Sequence, residues 1–510
     1  MTWRLLIFLT VAFLFTATLL PVLSMVFHTF FSHGNFDFSA YKVLFQDSSL
    51  TSFQNSLLLS LLVAAASTFA GTVLGIVLGK TKLPGSYVLV MLLTLPLLIP
   101  PYILALGWYE VLGREGFWGE LLFGFWGTSW VLFCTYLPIP MLLSMLFLTQ
   151  INPRFEEAAR LMTGWPQVLR YITLPLLFPA VILSFLLVFI LTFGEQSVAN
   201  FLRFDVFSLE SFTYFSAFYD FKTATVLAVP MVIVALLVLA AEQFGRHKHL
   251  WRFDTAYSIE KINLGNTRIP LLIMILLLIS LTVLLPLAHL FAEAADIHLW
   301  AEALTKAYQP ILRSYLYATL GATALMFFGF FSGYLLTERM FAHRFYDAAL
   351  IFMFALPATV TGIALILFWN TPYMNFIYGT PLIILFAYLG KYLALTAKIT
   401  QNRLGQIPHS QVEAAQLAGA NPFQVLRFIL APLSKKALLI TWVIGFIFSL
   451  RETTMTMLLY PPGYDTLPIY ILTQMANGEP GMIAALSVIM ILMSLLPLLV
   501  LGYFTKDPHD

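Results

Sequence analysis

The sequence predicts an all-α polytopic membrane protein of about twelve transmembrane helices, arranged as two parallel six-helix repeats. Three observations predict it. Of 510 residues, 60% are hydrophobic and only 10% charged, against roughly 25% charged in an ordinary soluble domain. Runs long enough to cross about 30 Å of hydrocarbon, roughly 20 residues each, recur along the whole chain. A polar segment between two such runs occurs twice, as Glu157-Ala158-Ala159-Arg160-Leu161 and as Glu413-Ala414-Ala415-Gln416-Leu417.

The apolar runs cover about 4–27, 53–79, 86–110, 128–150, 176–200 and 223–243, then 268–292, 315–337, 347–370, 381–401, 434–458 and 481–504. The first exceeds the roughly 7–15 residues of a signal-peptide core and lacks a small-x-small cleavage site, so it reads as a retained helix. Placing both termini in the cytoplasm assigns 19 of the 27 Lys and Arg to cytoplasmic segments. Six fall in outer loops (Lys42, Arg114, Arg203, Lys222, Lys306, Arg313) and two in spans (Lys391, Arg451). That is the asymmetry the positive-inside rule requires. The net charge of +2 is spread over short loops, which excludes a nucleic-acid patch. Cys134 is the single cysteine, so no internal disulfide or thiolate cluster is available. His247 and His249 lie in a polar stretch and read as solvated surface.

The halves match beyond the repeated loop. Pro166 and Pro422 each follow the loop Glu by nine residues; then come Val168 to Ile172 or Val425 to Ile429, and Pro175 or Pro432. Asn55-Ser56-Leu57 opens the second span, with Gly71 and Gly75 further along; Arg313-Ser314-Tyr315 opens the eighth, with Gly329 and Gly333 at the same offset. Such small-residue stripes suit close helix packing in lipid. Leu95-Pro96 to Trp108 answers Leu356-Pro357 to Trp369. Six spans per half in one orientation make a parallel repeat. The expected division is 1–243, a cytoplasmic linker 244–267 rich in His, Lys and Arg, and 268–510, with the loops at about 151–175 and 402–433.

No energy-converting motif accompanies the spans. Gly75-Ile76-Val77-Leu78-Gly79-Lys80-Thr81 has three residues between its glycines where a phosphate loop needs four, and it ends an apolar helix instead of following a strand. If ATP drives this protein, the ATPase is a separate chain.

Glu413, Ala414, Ala415, Gly419, Ile429 and Pro432 resemble the signature loop of permeases from binding-protein-dependent ABC importers. The first copy departs from it: Thr163 holds the usual Gly place and Gly164 follows. Its loop is one residue shorter from Glu157 to Pro175, unless Glu156 is the motif carboxylate. The resemblance spans nearly the whole chain and is to fused permeases of the ferric-iron and thiamine type. It implies that the loops, with Glu156, Glu157, Ala158, Ala159, Gly164, Pro175, Glu413, Ala414, Ala415, Gly419 and Pro432, couple to the ATPase. The Ala pair would let two short helices pack, and the Gly would permit the turn between them. It further implies two ATPase copies holding ATP and Mg, an extracytoplasmic substrate-binding protein, no cofactor and no catalytic residue in this chain, and an inner bacterial membrane.

Two carboxylates stand out in the spans. Glu195, after Phe193-Gly194, and Glu452, in Leu450-Arg451-Glu452-Thr453, occupy the same place in each half. Ionisable groups at membrane depth usually face a bundle interior or a water-filled cavity, so Glu195, Glu452 and Arg451 are candidates for the substrate path. Pairing of Glu452 with Arg451, helix capping, or a place among headgroups are the structural alternatives. Hard oxygen ligands suit iron(III), yet no resident metal site is assigned. The stretch Leu450 to Gly463, then Asp465 to Pro468, looks most like ferric permeases, with thiamine, aminophosphonate and polyamine permeases as alternatives. A secondary transporter would share the span count but would not need twin loops. A membrane enzyme would show paired His at helical spacing, and the sequence has no His-x-x-x-His.

Overall fold

The computed structural model describes residues 10–32, 35–113, 116–247, 259, 261–338 and 343–505. Arg114, His249 and half of the 244–267 linker lie outside the described residues, as does the start of the first apolar run. Among the described residues the chain is helical apart from an antiparallel hairpin, Phe31–Ser32 with Asn35–Phe36, and one isolated bridge between Thr81 and Ile262.

Nine described helices are long and apolar enough to cross a membrane, or up to twelve if each bent pair counts as one span. We label the principal helices α1 Thr10–Thr29, α2 Asp47–Lys80, α3 Ser86–Leu98, α4 Pro101–Leu112 and α5 Phe125–Leu148. Next come α6 Pro153–Arg160, α7 Trp165–Phe193, α8 Ser197–Phe201, α9 Phe207–Ser216, α10 Phe221–His247 and α11 Gly265–Glu293. The second half gives α12 Ile297–Lys306, α13 Tyr308–Thr337, α14 His343–Ala355, α15 Ala358–Trp369, α16 Leu382–Gly405, α17 His409–Leu417 and α18 Pro422–Leu433. It closes with α19 Lys435–Arg451, α20 Thr454–Leu459, α21 Leu467–Asn477 and α22 Pro480–Thr505. The predicted third and ninth spans are bent, α3 and α4 meeting at 102° and α14 and α15 at 107°; a third bend, of 78°, separates α18 of the second loop from α19, which opens the predicted eleventh span. The predicted fifth span, about 176–200, stops at Phe193, and its last residues form α8.

Proline explains the first two bends. Pro100 and Pro357 stand just before α4 and α15 with nearly the same dihedrals, φ −56° and ψ 135° against φ −54° and ψ 144°. The residue before a proline is pushed out of the helical region, so each helix stops there. The structural counterpart of Pro357 is therefore Pro100, not Pro96, which lies inside α3.

The four described π-turns, Phe15–Leu19, Leu169–Thr173, Ser280–Leu284 and Leu426–Leu430, share one cause. Each is followed two residues later by a proline: Pro21, Pro175, Pro286 and Pro432. A proline inside a helix donates nothing and clashes with the carbonyl four residues back. Widening the preceding turn, so that the residue before the proline bonds five residues back, relieves that clash.

The chain divides into two compact units that do not follow the halves 1–243 and 268–510. One comprises 46–210 and 240–295; the other comprises 1–45, 211–239 and 296–510. Each thus takes its first span from the opposite half. In the former, α11 packs on α3 and α4; a Cβ at Gly107 would lie 2.7 Å from the Pro286 carbonyl oxygen. In the latter, α1 packs on α15 and α16, with Thr18 beside Gly390.

Repeat symmetry holds inside the units. Gly71 and Gly75 of α2 lie against α5, where a Cβ would meet Pro140 and Ser144 at 2.8 and 2.7 Å. Gly329 and Gly333 of α13 lie against Thr396 and Gln401 of α16 in the same way, both at 2.7 Å. The Ser56 hydroxyl accepts from the Phe207 amide at 2.8 Å, and the Ser314 hydroxyl from the Leu467 amide at 2.7 Å.

Candidate functional site

The two repeated loops fold as short helix, turn, short helix. In the first, Asn152 caps α6 by accepting from the Arg154 amide at 3.1 Å, with Pro153 at the first helical position, an arrangement suited to a helix start. In the second, Asn421 and Gln424 form a reciprocal capping box at the start of α18, with bonds of 2.9 and 2.8 Å.

The turns differ. Gly419 has φ +88° with no atom near its missing Cβ, so the left-handed backbone alone selects glycine there. Gly164 is extended, with φ −83° and ψ 169°, and the first turn closes without a left-handed residue.

Exposure fixes the register between the copies. Glu157 and Glu413 are exposed, as are Ala158 and Ala414, while Ala159 and Ala415 are half-buried. At the tips Leu161 and Leu417 are 89% and 90% exposed. Only one alanine of each pair therefore faces inward, Ala415 joining the apolar cluster of Leu404, Ile407, Val425, Leu426 and Leu430. Pro175 and Pro432 are exposed beyond the π-turns.

Glu156 sits differently. It is 2% exposed, ion-paired with the equally buried Lys80 at the end of α2, and accepts from the Thr173 hydroxyl at 2.6 Å. The position matching it in the second loop is the apolar Val412, packed on the same cluster as Ala415. The carboxylate aligned with Glu413 is thus Glu157, and Glu156 belongs to the joint beneath the loop. Breaking one partner of such a buried pair leaves an uncompensated charge, at a cost of about 3–5 kcal/mol.

The membrane carboxylates both cap helices. Glu195 accepts from the Ser197 and Val198 amides at 3.0 Å each, and also from the Ser197 hydroxyl. Glu452 accepts from the Met455 amide at 3.0 Å and from the Tyr392 hydroxyl. Each is buried just before a short helix, α8 or α20. The amides of a helix's first turn have no intrahelical partner; the carboxylates fill that role. Arg451 stacks over Phe448, 5.4 Å from the ring centroid.

Sequence reasoning passed over Lys391. Its buried ammonium donates to the Phe354 carbonyl at 3.0 Å and to the Leu356 carbonyl, the groups released where α14 ends at its 107° bend. A cation at a helix C-terminus compensates the partial negative charge there. Its neighbour Tyr392 reaches Glu452, so α16 staples two breaks at once. The signal was a lysine in the middle of an apolar run, seven residues before the next cation, Lys398. Among the described residues no three His, Cys, Asp or Glu gather as a metal site would require.

A helical membrane protein with one exposed loop repeated beneath two spans has the plan of an importer's transport subunit. Residues 325–508 match the family described as binding-protein-dependent transport system inner membrane component. Over 505 residues the chain is 25% identical to the ferric transport system permease protein FbpB of Actinobacillus pleuropneumoniae, covering 91% of this chain and 73% of that protein. It is 22% identical over 481 residues to the Fe(3+)-transport system permease protein FbpB 2 of Haemophilus influenzae, covering 90% and 91%. Similarity to the spermidine/putrescine permease PotC of Escherichia coli, 27% over 124 residues, covers 24% and 47%. The chain is thus a multi-helix membrane protein similar over nine-tenths of its length to ferric permeases, with its second half matching the family of importer inner-membrane components.

Proposed function

We propose that this permease forms the path for iron(III), powered by two copies of a separate ATPase that hold ATP and Mg at the cytoplasmic loops and supplied by an extracytoplasmic binding protein. One observation carries the coupling role: Glu157 to Leu161 and Glu413 to Leu417 share four of five residues, differing only at Arg160 and Gln416, and show the same exposure. Two equivalent surfaces suit a motor with two equivalent subunits. The iron assignment is supported by extent, since similarity to ferric permeases runs over nine-tenths of the chain and similarity to the polyamine permease over a quarter. Glu195 and Glu452 would place two acidic groups along the path while capping its broken helices.

Reconstitution with the neighbouring ATPase and binding protein tests the reading. Uptake of iron(III) with ATP hydrolysis stimulated by the iron-loaded binding protein is the expected result. Stimulation by thiamine, an aminophosphonate or a polyamine instead would overturn the substrate, and ATP-independent uptake would overturn the mechanism.

A further inference from the structure

We propose that Lys80, Glu156 and Thr173 form a latch that fixes the first loop, together with Ile259 and Ile262 of the linker, to the end of α2 so that they move as one body. The proposal rests on the loops being the ATPase contacts. Lys80 is the node. Its ammonium pairs with Glu156 of α6 and lies 5.4 Å from the ring centroid of Trp165, the first residue of α7. Glu156 in turn takes the Thr173 hydroxyl at the end of the π-turn. The Lys80 carbonyl accepts from the Ile262 amide at 2.7 Å, and the Lys82 amide donates to the Ile262 carbonyl at 3.0 Å. Ile259 packs with Phe147, Leu148, Leu177 and Ala180 beside it. One side chain and its backbone thereby tie four segments.

Among the described residues the second loop has no buried ion pair at the matching place. Position 338, which matches Lys80, is an exposed Glu, and the joint is the apolar cluster of Leu404, Ile407, Val425 and Leu430. Apolar contacts are non-directional and tolerate sliding, whereas a buried, hydrogen-bonded ion pair admits one geometry. The two loops are therefore mounted differently: the first is fixed to its span by a buried ion pair, and the second rests on an apolar joint, with the Arg403 guanidinium donating to the Leu433 carbonyl at its far end beside the 78° bend. An ATP-driven stroke would displace the second loop relative to α13 while carrying the first rigidly with α2.

Spin labels at Lys82→Cys and Arg154→Cys, both exposed positions, read the latch in the full permease assembled with its ATPase. The parent should give one narrow distance distribution, unchanged between nucleotide-free and ATP–vanadate states. Lys80→Met should widen it at least two-fold and make it shift with nucleotide. The exchanged pair Lys80→Glu with Glu156→Lys should restore the narrow distribution, which lost packing alone would not do. The apolar pair Lys80→Met with Glu156→Leu guards against misfolding, because replacing a buried ion pair by hydrophobic residues preserves stability; it should insert and still be wide. A narrow distribution in that apolar pair, or no rescue by the exchange, overturns the latch. ATPase retention in a separate Leu161→Asp variant would overturn the docking reading and leave the label result interpretable by itself.

Discussion

At the residue scale, the loop glutamates, Gly419 and the capping glutamates carry predictions. Because Glu156 is buried against Lys80, it cannot replace its neighbour at the surface. Glu157→Ala and Glu413→Ala should therefore weaken transport to similar extents at matched expression; a loss confined to Glu413→Ala would show that Glu156 serves the first loop. Gly419 is selected by its φ of +88° alone. Gly419→Asn, which tolerates the left-handed region, should keep most activity, while Gly419→Val should cost about 1–2 kcal/mol locally and abolish ATPase co-purification; equal behaviour of the two would discount the turn. For the membrane carboxylates, Gln retains a hydrogen-bond acceptor and removes the charge. The double change Glu195→Gln with Glu452→Gln should leave insertion intact and depress iron(III) uptake more than either single change, because charge acts more strongly in a low-dielectric site. Parental uptake in the double variant, with normal basal ATP hydrolysis, would confine both groups to capping.

At the element scale, proline and π-turn act together. Pro175 and Pro432 sit two residues beyond the turns Leu169–Thr173 and Leu426–Leu430, so the widened turn sets the rotation between each loop and the helix that follows. Pro432→Ala restores a donor and permits an ordinary α-turn, rotating α18 relative to α19. Pro432→Ala should insert and bind ATPase yet transport several-fold less per ATP hydrolysed; transport equal to the parent would make the proline incidental. The Arg403 guanidinium, which holds the Leu433 carbonyl at 2.9 and 3.2 Å, secures the same break from α16. Broken helices at membrane depth need such internal partners, and Lys391 and the two glutamates supply them elsewhere.

At the scale of the molecule, each compact unit borrows its first span from the other half. Gly107 against Pro286, and Gly390 against Thr18, are contacts that a half-chain lacks. Fragments 1–250 and 251–510 should each be degraded or aggregate when made alone, and should co-purify when made together. A single fragment that is stable and monodisperse would contradict the exchange.

Span count, the repeat, the exposed loop pattern and the transporter class were legible in the sequence, because hydrophobic length and a duplicated polar motif are local properties. Proline spacing was visible as well, yet its pairing of Pro96 with Pro357 was off by one proline, since sequence does not reveal which proline ends a helix and which is absorbed. Only the tertiary structure decided that Glu156 turns inward while Glu157 faces out, that Lys391 caps a broken helix, and that first spans are exchanged. Those outcomes depend on which distant groups meet in an environment where a buried charge or an unpaired carbonyl must find its partner inside the protein.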